Sequence, residues 1–217
     1  VWYRMLFTAL FMAVILFYRK EWVPVERKDV QQLAVVGMLM GLHWVGFYGA
    51  IKFANISIAL VCLSTASVFT SLLDPLVNEG RHDFTEVLLG TFAIAGVYLI
   101  YRFQQLYGLG IVFGIAAAIL SSVFTVLNKK IANKYPARTM VFYEMSTGWL
   151  FISLLLPFVF YYLPQTRFIP TTTSLLSSAW NHNDWLWLVI LSLCCTVWSQ
   201  SLALNALKKL SSFTVTL

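Results

Sequence analysis

Ionisable side chains are scarce in this 217-residue chain: Asp, Glu, Lys and Arg make up 11% of it, against 59% hydrophobic residues. Soluble domains carry about 25% charged residues because their surface must be solvated. A chain this poor in charge cannot cover a water-facing surface of its size, which excludes an ordinary soluble fold. Cysteine is also thin. Cys62, Cys194 and Cys195 lie in apolar stretches without a CxxC or Cys/His pattern, so neither a disulfide framework nor a metal site is expected. The enzyme signatures GxxxxGK[ST], HExxH and GxSxG are missing, and the polar connections are too short for a soluble catalytic domain. No catalytic residue and no cofactor is therefore expected. A signal peptide is not visible, and ten-residue alternating segments, the mark of a membrane β-barrel, do not occur.

Long apolar runs fill the chain instead, and the mean hydropathy is +0.77. Seven spans are legible at 1–18, 33–51, 57–77, 86–101, 109–128, 139–163 and 185–206, with an eighth beginning at 212. Each is close to the roughly 20 residues that cross a hydrocarbon core. A spanning backbone must satisfy its own hydrogen bonds, so the spans are expected to be helical. The fold class is thus an all-α integral membrane bundle whose first partner is the lipid bilayer. Eight Trp and ten Tyr fit this, since their rings favour the membrane interfaces.

The formal charge of +6 does not imply nucleic acid, because the basic residues sit in short connections between spans. Alternate connections hold Arg19, Lys20, Arg27 and Lys28, then Arg81, then Lys129, Lys130, Lys134 and Arg138, then Lys208 and Lys209. The opposite set holds only Lys52, Arg102 and Arg167. The positive-inside rule makes connections 19–32, 78–85, 129–138 and 207–211 cytoplasmic. Val1 enters an apolar helix at once and Leu217 stops shortly into another run, so seven complete spans of a longer protein are expected.

Two short matches indicate an internal repeat. Ala50-Ile51-Lys52-Phe53-Ala54-Asn55-Ile56-Ser57 resembles Ala206-Leu207-Lys208-Lys209-Leu210-Ser211-Ser212-Phe213 at an offset of 156, and Tyr3-Arg4-Met5 resembles Tyr143-Glu144-Met145 at 140. Lys52 and Lys208 fall on opposite sides, and an odd number of spans separates the copies. The second unit is therefore inverted, an arrangement common in secondary transporters.

The stretches WYRMLFTALFMAVILFYRK, FYGAIKFANISIALVCLSTASVFTSLLDPL, EVLLGTFAIAGVYLIY, GLGIVFGIAAAILSSVFTVLNKKIA, VFYEMSTGWLFISLLLP and LALNALKKLSSFTVTL resemble, in that order, the EamA family of the drug/metabolite transporter superfamily. The resemblance implies ten helices in two inverted five-helix repeats, without ATP hydrolysis. Residues 1–107 would be a first repeat lacking its first helix, and 108–217 a second lacking most of its last two. It further implies a permease or exporter of small metabolites or drug-like solutes in a bacterial inner membrane. A Pro often found early in the family's fourth helix is absent around Ala66-Ser67.

Six residues are candidates for solute binding. His43, Trp44 and Tyr48 belong to a bulky stripe with Phe47, in which residues one turn apart make a broad aromatic face. Glu144 and its counterpart Arg4 place charge within spans, where it is costly and normally has a partner or a watery path; near a helix end such a side chain can also snorkel to the interface. Trp198 and Gln200 bring polar groups into span 185–206, where Ser199 corresponds to His43 by the repeat offset. Gly110, Gly114, Ala118 and Ser122 form a small-residue ridge suited to close helix packing. The hydroxyls of Ser64, Thr65, Ser67, Thr70 and Ser71 are expected on their own helix carbonyls. Two other functions remain open: an intramembrane lipid-modifying enzyme using His43, Asp74 and Glu144, and a non-transporting scaffold or sensor.

Overall fold

The structure, a computed structural model, describes residues 1–78, 84–103, 107–162 and 182–216. Those residues contain helices and no strand. In chain order the helices are α1 (Trp2–Arg19), α2 (Arg27–Phe53), α3 (Ile56–Ser64), α4 (Ala66–Val77), α5 (Phe84–Phe103), α6 (Gly108–Ala132) and α7 (Ala137–Tyr162). They continue with α8 (His182–Ser192), a π-helical turn (Leu193–Trp198), α9 (Ser199–Leu207) and α10 (Ser212–Thr216). Six stretches are long and apolar enough to cross a membrane: Trp2–Arg19, Arg27–Phe53, Ile56–Val77, Gly108–Ala132, Ala137–Phe158 and Trp185–Leu207. The expected span 86–101 is α5, a helix of 20 residues, and the onset at 212 is α10. Arg81 and Arg167, with most of connections 78–85 and 164–184, lie outside the described residues.

The helix ends follow their local chemistry. Lys20 closes α1 in the left-handed conformation, φ 52°, with its N–H on the carbonyls of the last turn. Asn55 caps α3, its Oδ1 accepting from the Ile58 N–H at 2.9 Å, which makes the turn between α2 and α3 tight. α2 starts six residues before the apolar run beginning at 33: Asp29 favours its first turn, and the helix continues beyond the apolar stretch. Span 57–77 is broken at Thr65, whose N–H turns to Cys62 O at 3.1 Å. Its hydroxyl donates to the same carbonyl at 2.6 Å. The family's missing Pro is thus not needed for a break at this point.

α2 lies at the centre, packed most extensively on α6 and α7, while α1 lies on α7 and α4 on α6. Met5, Met12, Met40, Trp44, Phe124, Met140 and Met145 fill the core between them. The outer faces are apolar too: Phe17, Leu76 and Leu154 are each more than 70% exposed, as a lipid-facing surface allows. With apolar groups on both sides, the hydrophobic effect cannot hold helix to helix, so close packing must. A Cβ on Gly37 would collide with Glu144 O and Thr147 Oγ1, and one on Gly148 would lie 2.6 Å from Gly37 O. α2 and α7 therefore meet backbone to backbone. The ridge on α6 packs in the same way: a Cβ on Gly110 would lie 2.9 Å from Ala54 N, and one on Gly114 would lie 2.6 Å from Cys62 Cβ. Ser122 Oγ sits 2.7 Å from Ala66 O, joining α6 to the carbonyl just past the Thr65 break.

Candidate functional site

Two charged side chains penetrate the bundle, and each has its own surroundings. Arg4, on α1, reaches across to α2 and to the π-helical turn. Its Nε donates to Thr196 Oγ1 at 2.8 Å, Nη1 to Tyr48 OH at 3.3 Å, and Nη2 to Cys195 O at 3.5 Å. The guanidinium carbon lies 4.2 Å from the centre of the Trp44 ring, a cation–π contact. Thr196 stands eleven residues from Trp185, the start of its span, or about 16 Å along the helix at 1.5 Å per residue. The guanidinium therefore lies level with the middle of that helix, while Tyr48, its partner on α2, stands five residues from the end of α2 at Phe53. Among the described residues, no carboxylate lies within ion-pair distance of it.

The π-helical turn is what makes the Thr196 and Cys195 contacts possible. An extra residue per turn widens the helix and frees a carbonyl from the regular ladder, a distortion frequent at functional sites. Thr196 bonds back to Leu191 O, five residues earlier, at 3.3 Å. Cys195 O faces the arginine.

Glu144 is fully buried on α7, seven residues into the helix. Neither carboxyl oxygen has a hydrogen-bond partner among the described residues. Asn128 of α6 approaches the carboxyl without the geometry of a full hydrogen bond, and its own Oδ1 is unpartnered as well. A charge enclosed this way has nothing to offset its desolvation.

The six candidates are thereby separated. Trp44 and Tyr48 converge on Arg4. His43, their neighbour on α2, faces the opposite way: its Nδ1 lies 2.8 Å from Ala117 O, so Nδ1–H donates to α6. The His43 ring stacks on Phe47 and meets the edge of Phe124. The broad aromatic face thus divides into one side turned to α1 and another turned to α6. Trp198 is 66% exposed and Gln200 half-buried, and neither is a hydrogen-bond partner of Arg4 or Glu144. Arg4 itself, Thr196 and Asn128 were not among the six. Arg4 is legible in the sequence as charge within a span, whereas a π-helical turn carries no periodicity by which to expect Thr196.

The ends of the helices that carry the basic connections are tied by ion pairs. Arg138 Nη1 bonds both oxygens of Glu21 at 2.6 and 2.8 Å, Lys134 bonds Asp29 at 3.1 and 3.3 Å, and Lys129 bonds Asp74 at 3.0 Å. Tyr135 OH donates to Asp29 at 2.8 Å, and Lys208 donates to Tyr135 O at 3.1 Å. The hydrogen bond to Asp29 raises Lys134 above its ordinary value of 10.5. A cleft of about 560 Å³ opens here, lined in part by Glu21, Asn133, Ala137, Arg138 and Asn205. Asp74, with Asn78 on its other oxygen, serves as a helix-end anchor.

Comparison with known proteins agrees with this picture. Residues 1–102 match the model of the EamA-like transporter family. A Bacillus subtilis (strain 168) protein, the uncharacterized transporter YxxF, is 27% identical over 140 residues. That match covers 62% of this chain and 44% of the relative, so the chain spans less than half the length of that relative.

Proposed function

We propose that the chain is a member of the EamA-like transporter family, whose model matches residues 1–102, and that the full protein is a secondary transporter, moving a small solute by alternating access. The observation that carries this reading is the pair of ionisable side chains at span depth, Arg4 and Glu144, each without an opposite charge among the described residues. A bundle that only had to pack would be more stable with apolar residues at both positions. Residues 1–107 and 108–217 form the two inverted units, and the solute path runs between them past Trp44, Tyr48 and the π-helical turn. Glu144 takes up and releases a proton as the cavity opens, coupling transport to a pH gradient. The membrane is a bacterial inner membrane, with the basic connections on its cytoplasmic face.

The lipid-enzyme reading gains nothing from the geometry. His43 is held by Ala117 O, Asp74 by Lys129, and Glu144 is enclosed near Asn128, so the three do not share a site. The test is solute flux into proteoliposomes holding the full-length protein, with and without an imposed pH gradient. Flux that the gradient accelerates supports the reading. No flux across a broad metabolite panel, together with turnover of a lipid, would replace it with the enzyme.

A further inference from the structure

Arg4 is a fixed positive charge whose hydrogen-bond and ring partners among the described residues are all neutral. Thr196 Oγ1, Tyr48 OH and Cys195 O take three of its five N–H donors. One N–H remains on each terminal nitrogen, the forked pair that matches the two oxygens of a carboxylate. Tyr48 adds a third donor: its oxygen accepts from Arg4, leaving its own O–H uncommitted, and its side chain is 38% exposed. Trp44 fixes the guanidinium plane from one side. None of these contacts neutralises the charge, and within a span an unneutralised cation is expensive.

We propose that Arg4, with Trp44, Tyr48 and the carbonyl-bearing π-helical turn, forms an anion subsite that recognises the carboxylate of a small organic acid. The proposal rests on the transporter reading above and names its substrate class. A singly charged carboxylate matches the single charge and the paired N–H donors of the guanidinium. The apolar body of the solute lies against the aromatic rings that flank the guanidinium. A purely structural arginine, tying α1 to α2 and the π-helical turn, would be indifferent to solute charge.

Matched pairs of carboxylates and their primary amides separate the two roles. The full-length protein in nanodiscs is titrated with hippurate, N-acetylphenylalanine and N-acetylleucine and with the amide of each, and flux of the same probes is followed in proteoliposomes. At least one carboxylate is expected to bind ten times or more tightly than its amide. Arg4→Gln should reduce that ratio to below two, and Arg4→Lys should keep part of it. Tyr48→Phe, which preserves the ring and the fold, should lower the ratio about threefold; it carries the test where Arg4→Gln fails to fold. Equal binding of acid and amide, a ratio unmoved by Tyr48→Phe and Arg4→Lys, or binding of none of the carboxylates overturns the proposal. Failure of the transporter reading looks different: carboxylates bind with the stated preference, yet no solute crosses the membrane.

Discussion

Glu144 and Arg4 place charge in the bundle by opposite means. Arg4 is given neutral oxygens and an aromatic face, whereas the carboxyl of Glu144 has only the approach of Asn128 and no full hydrogen bond. Leaving a buried polar group unsatisfied costs about 1–3 kcal/mol. Glu144→Leu should therefore raise thermal stability by roughly that amount, read as an upward shift of the melting temperature in detergent. If Glu144 also couples transport to protons, Glu144→Gln should reduce gradient-driven flux at least tenfold. Gradient-independent solute exchange should persist in the same variant. A variant that loses both equally would show that Glu144 serves the fold or the solute, not the proton. The sequence exposed both residues as charge inside a span, but it could not rank them. Whether a side chain at the start of a helix snorkels or reaches inward depends on its partners, and those come from residues 44 and 192 positions away. His43 and Trp44 show the same limit: adjacent in sequence, they point to different helices.

At the scale of the helix, backbone contact decides stability more than side-chain burial does. Gly37→Ala would push a methyl group into Glu144 O and the Thr147 hydroxyl on α7, and backbone cannot step aside as a flexible side chain can. Overpacking of this kind costs about 1–3 kcal/mol. Gly96→Ala, on α5, meets nothing within 4 Å and should be neutral or stabilising by up to about 1 kcal/mol through helix propensity. Melting temperatures of the two variants in the same detergent check both signs. The ridge of Gly110, Gly114, Ala118 and Ser122 was legible because small residues at helical spacing have one plain use in a membrane. The spans were legible from apolar length alone. The break at Thr65 and the π-helical turn were not, since both arise from single hydroxyls and carbonyls competing with the regular ladder. Either residue could sit in an unbroken helix elsewhere. The six-residue extension of α2 back to Arg27 was hidden for a related reason: a helix does not stop where its apolar stretch stops.

Across the whole molecule, the ion pairs among the described residues gather where the basic connections are: Arg138–Glu21, Lys134–Asp29 and Lys129–Asp74. The basic residues of these connections thus supply a set of ties between the ends of α1, α2, α4, α6 and α7. Partly exposed pairs contribute about 0–1 kcal/mol each, too little to hold the fold but enough to bias two states separated by a similar gap. In a protein that alternates between open ends, these ties favour closure at this end. Because Lys134 titrates above 10.5, its tie is intact at neutral pH and weakens only as pH rises through that raised value. Ala137 is 4% exposed and lines the cleft beside these pairs, so an Ala137→Cys substitution reports opening. Cys194 and Cys195, the exposed thiols, would first be changed to Ser. Removing a tie worth about 1 kcal/mol by Glu21→Gln should raise the open fraction, and with it the maleimide labelling rate, about fivefold. Thermal stability should move far less. A static bundle would instead give the same labelling rate with and without Glu21, and the alternating-access reading would then have to locate its gate elsewhere.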